Sequence, residues 1–328
     1  MTKFISKLAL AVIALFLLFN IFSCRGNEPI MYVSVISGEW WSVANNPDPG
    51  PLAGDRQQTV DFAVWQAADG SWQLWSCIRG TRCVGRNRLF YGWEGSSLTG
   101  ANWKPLGIVM TADTPLGETE GGLQAPYVFR WKGKYRIIYG GFSKICLAES
   151  IHGKNFTRAL NEEGSSELFS GSYLNTRDPM VIRLNRKFYG YYTGYTCPDG
   201  TLEENGQVVK KTFVSGVFCR TSDDLLYRSN AVMVSAGVEA GDRPGSSVCP
   251  FVVEKEDWCY LFRNQYYGEN NLNIHYASKN PFDFGVGYDE YNIGTLPVAM
   301  PEIVACKGRD YIFILNPGPD EKRMTSMH

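Results

Sequence analysis

An all-β fold is predicted by three features of the 328-residue sequence. Aromatic residues reach 14 %, with 18 Tyr, 18 Phe and 9 Trp, and such side chains favour strands. The 34 Gly supply the turns that many short strands need. Helical periodicity is nearly absent after residue 24, whereas short apolar strand-and-turn segments recur to the end.

The N-terminal segment is read as an address. Lys3 and Lys7 precede an apolar run, Leu8 to Phe22, broken by Asn20; it is short for a membrane span and placed like a secretory signal. The run ends in Ile21-Phe22-Ser23-Cys24, a small residue followed by Cys, as in a bacterial lipobox. Residues 1–23 are therefore expected to be a lipoprotein signal peptide, Cys24 the lipidation site and 24–30 a tether; the competing readings are an uncleaved anchor helix or a plain secretory peptide. The mature chain of 305 residues is expected to be exported, to the periplasm, the outer membrane or the cell surface, and to fold as one domain from 31 to 328.

Composition narrows the function. A formal net charge of −1 excludes the basic face that nucleic-acid binding needs. With 3 His and no CxxC spacing, a multi-histidine or zinc-knuckle metal centre is not expected. No organic cofactor is implied, and a structural calcium ion is compatible with the sequence but not demanded by it. Of the cysteines, Cys77 and Cys83 bracket a short hairpin and are the best disulfide pair on separation, whereas Cys146, Cys219 and Cys259 read as small buried hydrophobes.

A repeat runs through the chain. Ala125-Pro126-Tyr127-Val128 leads to Gly133-Lys134-Tyr135-Arg136-Ile137, and Asp178-Pro179-Met180-Val181 to Lys187-Phe188-Tyr189. Cys249-Pro250-Phe251-Val252 leads to Asp257-Trp258-Cys259-Tyr260, and Met300-Pro301-Glu302-Ile303 to Gly308-Arg309-Asp310-Tyr311. Phe62-Ala63-Val64-Trp65, then Gly70-Ser71-Trp72, is a fifth copy without the proline. Each copy reads as strand, tight turn, strand. The prolines recur at intervals of 53, 71 and 51 residues, the long interval holding a polar insertion from Cys197 to Lys211. A third strand follows in most copies: Arg88–Trp93, Ile145–Ser150, Val217–Ser222 and Ile274–Ser278.

Such units repeated radially describe a β-propeller, and five copies predict five blades; a β-sandwich would not explain the recurring hairpin. The last copy shows no third strand after Ile314-Leu315, so the N-terminal segment Met31–Ile36 is expected to complete it and close the ring. In a propeller the first strands of all blades converge on the axis. That gathers Asp61, Gln124, Arg177-Asp178, Ser247-Val248-Cys249 and Glu302 at one mouth. Asp61 and Asp178 stand out, since glycosidic cleavage needs one carboxyl group to protonate the leaving oxygen and another to activate water or attack.

The hairpins, with Gln124-Ala125-Pro126-Tyr127 and Arg177-Asp178-Pro179, resemble the five-bladed glycoside hydrolases of family 43 and relatives such as family 32, over roughly residues 55 to 315. The resemblance implies Asp61 as base or nucleophile and Asp178 as the carboxylate that tunes acidity. Asp61 reads as slightly off register, because Phe62-Ala63 rather than Pro follows it. The resemblance also implies a general-acid Glu in a Glu-Cys-Pro or Glu-Gly-Pro segment, and here that segment reads Val248-Cys249-Pro250. Glu302 ranks first as the substitute acid and His275 second.

Arg177 is expected to orient Asp178 or bind a hydroxyl, and Gln124 and Trp65 to bind substrate, with Trp40 and Trp41 as further stacking candidates. Arg79 and Arg82 are either solvated or hold an anionic sugar. Structural roles compete at each position: Asp61 as a blade-edge cap, Arg177-Asp178 as an ion pair between blades, Glu302 as an inter-blade carboxylate. The function expected is an exported glycoside hydrolase acting as a monomer on plant or algal oligosaccharide. The alternatives are a catalytically impaired carbohydrate-binding propeller, motivated by Val248, and a protein-interaction propeller.

Overall fold

The computed structural model describes residues 30–171, 175–196, 203–204, 207–208, 214–227, 229–237, 246–266, 271–317 and 322–327. The expected signal peptide (residues 1–23), Cys24 and Cys197 lie outside the described residues.

The architecture is all-β and propeller-like. The first sheet orders Gln58–Gln66, Trp72–Arg79, Leu89–Gly95 and Lys104–Met110 as an antiparallel meander. The second runs Gln124–Trp131, Lys134–Gly140, Lys144–Ser150 and Glu167–Ser170, with Thr157–Arg158 added to its third strand. The third comprises Arg177–Leu184, Lys187–Thr196, Val214–Ser222 and Val232–Ser235, and the fourth Val248–Lys255, Trp258–Tyr266, Leu272–Ser278 and Asn292–Leu296. The fifth takes Ala299–Cys306, Arg309–Pro317 and Lys322–Met327 from the C-terminus and Trp41–Ala44 from the N-terminus.

Turn chemistry explains the inner hairpins. Lys132-Gly133, Asn185-Arg186, Glu256-Asp257 and Lys307-Gly308 each place two successive residues at positive φ, the conformation of a two-residue type I′ turn whose twist suits antiparallel strands.

The cores lie between sheets. Along the first inner strand, Phe62 and Val64 face the fifth sheet with Tyr311 and Phe313, whereas Ala63 and Trp65 face the second with Ile137 and Tyr139. Further clusters join second to third, third to fourth and fourth to fifth sheets. Both faces of these strands are buried, so they read as continuous apolar runs rather than as alternation. The inner strands touch in sequence order, and the first also touches the last.

Two expectations are corrected. Met31–Ile36 forms no strand; Tyr32 donates its N–H to Tyr260 Oη at 2.8 Å, and the segment lies over the fourth and fifth sheets beside Val253, Ile303 and Ile312. The N-terminal strand is instead Trp41–Ala44, which pairs with Lys322–Met327, itself the third strand that the sequence does not reveal. Cys77 and Cys83 form no disulfide. Cys77 is buried between the first and second sheets and donates its thiol to the Leu123 carbonyl at 3.3 Å, while Cys83 packs toward the first-to-fifth cluster. Cys146, Cys219 and Cys259 are buried free thiols, as expected.

Candidate functional site

Each inner strand departs from regular pairing at the same place. The register shifts at Val60/Phe62, Gln124/Tyr127, Arg177/Met180, Val248/Phe251 and Ala299/Glu302. At each shift one non-glycine residue takes a left-handed conformation: Asp61 (φ 32°), Ala125 (41°), Asp178 (53°), Cys249 (51°) and Met300 (50°). Such backbone is strained for side chains with a Cβ, and a bulge of this kind re-aims a residue out of the sheet. All five line one axial cavity together with the residue that follows each, Phe62, Pro126, Pro179, Pro250 and Pro301. Asp61 is therefore in register with Asp178 after all: Phe62 occupies the proline position.

The site can be read as stacked layers. Asp61, Ala125, Asp178, Cys249 and Met300 form one, the prolines and Phe62 the next, and Tyr127, Met180, Phe251 and Glu302 line the cavity beneath. Two residues of strand separate Glu302 from the Met300 level, roughly 6.6 Å along the strand.

Asp61 and Asp178 meet. A carboxylate oxygen of each and the Cys249 sulfur all lie within 4.8 Å of one another. Asp178 is held firmly: Oδ2 accepts from Thr193 Oγ1 at 2.7 Å, from the Cys249 N–H at 3.2 Å and from Arg177 Nε at 3.3 Å. Arg177 also donates to Tyr195 Oη at 2.8 Å, which fixes its guanidinium beside the carboxylate. The Cys249 thiol faces Asp61 Oδ1 at 3.8 Å. Burial, and next the negative charge of Asp178, raise the Asp61 pKa to about 6, against the opposing pull of Arg88, Arg177 and Arg79.

Glu302 lines the same cavity, and its Oε2 accepts the Val64 N–H at 3.0 Å. Burial raises its pKa well above the usual carboxylate range, and the Val64 hydrogen bond opposes this only in part.

Other expected residues stand elsewhere. Trp65 is buried between the first two sheets, packed edge-on against Trp75 and Phe156, with its indole N–H on the Gly153 carbonyl at 2.7 Å; it does not line the cavity. Gln124 is buried one residue before Ala125 and is not on the cavity wall. Val248 is fully buried opposite Asn264, and the next residue, Cys249, takes the place on the axis. Trp41 packs into the first-to-fifth cluster, and Trp40 lies in a separate groove with Asn271 and Pro297. Arg79 donates to Gln58 Oε1 and Arg82 pairs with Asp55 on the surface. His275 sits on a third strand with its ring tilted against Phe262, and burial lowers its pKa to about 4, so it is uncharged at neutral pH and does not serve as an imidazolium acid.

The sequence places Cys249 at the mouth but assigns it no role, and it does not reveal Thr193. No sequence signal points to Thr193, which reaches Asp178 only through its pairing opposite Arg177.

The sequence matches no protein-family model and no curated protein. Solved structures do match. A thermostable family-43 glycoside hydrolase superposes with TM-score 0.61 at 17 % identity over 86 % of this chain and 91 % of its own. An endo-arabinase from Bacteroides thetaiotaomicron gives TM-score 0.59 at 11 % identity over 87 % and 96 %, and an endo-1,4-beta-xylanase from the same organism 0.55 at 17 % over 84 % and 89 %. The chain thus resembles the family-43 glycoside hydrolases, and what it shares with them is their fold.

Proposed function

We propose that the protein is an exported, Cys24-lipidated glycoside hydrolase whose five large sheets are the blades of a closed propeller, with Trp41–Ala44 as the closing strand. It acts as a monomer on a plant or algal oligosaccharide; arabinase and xylanase neighbours favour a pentose-rich one. Asp61 serves as base or nucleophile, Asp178 tunes it, and Arg177 orients Asp178. Glu302 is assigned as proton donor, because it lines the same cavity and burial pushes its pKa well above the usual carboxylate range.

The observation that carries this reading is the Asp61–Asp178 pair at the axial cavity. Two carboxylates that close cannot ionise independently. Asp61, shifted to about 6, is ionised at neutral pH yet basic enough to accept a proton. The test is release of sugar from a panel of oligosaccharides and aryl glycosides by the purified mature protein, abolished in Asp61→Asn. A folded protein inert on the whole panel overturns the reading.

A second reading has its own support. Val248 stands where the resemblance implies an acid, and Glu302 lies beneath the proline layer, tied to Val64. On this reading the propeller binds a glycan without cleaving it, which a glycan array with retained ligand and no turnover would reveal.

A further inference from the structure

We propose that Asp61, Asp178 and Cys249 form a binding site for one thiophilic divalent cation of the Zn2+ class at the mouth of the axial cavity. The inference shares two residues with the glycosidase reading but does not rest on it.

Three strands from three different sheets deliver the donors. Each donor leaves a left-handed bulge of its strand, so the backbone has already aimed them at one point before any ion arrives. Their ligand atoms lie within 4.8 Å of one another. The Cys249 Sγ to Asp61 Oδ1 separation of 3.8 Å is close to the edge of a tetrahedral site, about 3.5 Å when metal–sulfur and metal–oxygen bonds are about 2.3 and 2.0 Å. A small inward shift of either side chain completes it.

A separate observation points to a missing ligand. Asp178 is only 5 % exposed, and while Oδ2 takes three hydrogen bonds, Oδ1 takes none. Buried carboxylate oxygens are rarely left without a partner, and Asp178 lines the cavity that Asp61 and Cys249 also line. Thr193 and Arg177 hold the other oxygen as outer-sphere partners hold the ligands of a metal site.

The donor set selects the ion. A thiolate with two carboxylates suits Zn2+ over Ca2+ or Mg2+, which take oxygen alone. Three protein ligands leave a fourth position facing the cavity for water or a sugar hydroxyl.

The test uses the full chain, stripped with chelator and titrated with ZnCl2 by calorimetry, with metal content read by elemental analysis. One Zn2+ per chain at micromolar affinity or tighter is expected, with CaCl2 and MgCl2 failing to compete. Cys249→Ala and Asp178→Asn should each weaken binding at least tenfold, and Cys249→Ala should abolish the thiolate-to-metal absorption of the Co2+ form. A variant with Cys83, Cys197 and Cys306 replaced by Ala should bind as the parent does. Thermal unfolding of the metal-free variants establishes that they are folded. Absence of Zn2+ binding, or binding that Cys249→Ala leaves intact, overturns the proposal. Because the readout is metal rather than sugar released, an inactive protein that binds Zn2+ fails only the glycosidase reading.

Discussion

Thr193 donates its hydroxyl to Asp178 Oδ2 at 2.7 Å, and the same hydroxyl oxygen accepts the Cys249 N–H at 3.1 Å. One side chain on the second strand of the third sheet thereby fixes both a carboxylate on its neighbour strand and the start of the fourth sheet. Thr193→Val keeps the shape and removes both bonds. It is expected to lower kcat/KM at least tenfold on any substrate the protein turns over. It should also cost about 1–3 kcal/mol in denaturant unfolding, because buried groups lose their partners. Thr193→Ser should restore most of both.

The raised Asp61 pKa sets the acid limb of the pH profile. The base must be ionised, so kcat/KM should fall about tenfold per pH unit below pH 6. The Asp178 charge contributes to that rise, so Asp178→Asn should move the limb to lower pH while also lowering the plateau. A limb that stays near pH 6 in this variant would show that the charge of Asp178 does not reach Asp61.

The same shift makes a statement about stability. Asp61 binds its proton more tightly in the folded state (about 6) than at its ordinary value of 3.8, so its contribution is fully present below 3.8 and is lost as pH rises through about 6. Asp61→Asn removes the buried charge. It should therefore stabilise the protein above pH 7, by about 2 kcal/mol once residual solvent contact is allowed for, and change little at pH 4. Thermal unfolding across that range measures it; equal stabilisation at both pH values would break the link to ionisation.

The repeat was legible because the inner strands pack both faces against neighbouring sheets and four of the five inner hairpins turn within two residues, a demand written into Lys132-Gly133 and Lys307-Gly308. The meeting of Asp61 and Asp178 was legible too, since axial convergence places equivalent positions together. The register of Asp61 was not: its bulge adds one residue that sequence spacing cannot see, and Phe62 hides the proline signal. Trp65 was misread for a related reason. Past the bulge, side chains alternate between neighbouring sheets, so it packs on Trp75 and Phe156 instead of facing the axis. The segment Met31–Ile36 has better strand composition than Trp41–Ala44, but the partner edge near the C-terminus decides which one pairs.

Trp65 consequently belongs to stability rather than to sugar binding. Trp65→Ala should destabilise the protein by about 3–5 kcal/mol, since it empties a packed interface between the first two sheets and orphans the Gly153 carbonyl. Trp65→Phe should recover much of this. Neither should alter the relative binding of different sugars under conditions where the variant is folded, as read by calorimetry; a selective loss for one sugar would return Trp65 to the site.

Glu302 and Val248 divide the two functional readings. If Glu302 gives up its proton to the leaving group, Glu302→Gln, which keeps an acceptor for the Val64 N–H, should reduce kcat by about 10²-fold or more while leaving the unfolding midpoint near that of the parent. Substrates with good leaving groups, which need no protonation, should be spared most of that loss. If the propeller only binds, Glu302→Gln has no turnover to lose, and Val248→Glu becomes the informative change. It places a carboxyl group one residue before Cys249, at the start of the fourth inner strand. Because Val248 is fully buried, this variant carries a stability cost that must be measured alongside activity. Hydrolysis gained in Val248→Glu with glycan affinity retained would show that the scaffold lacks only its acid. Turnover present in the parent and lost in Glu302→Gln would show that the acid has moved to the fifth sheet, beneath the proline layer of the axial cavity.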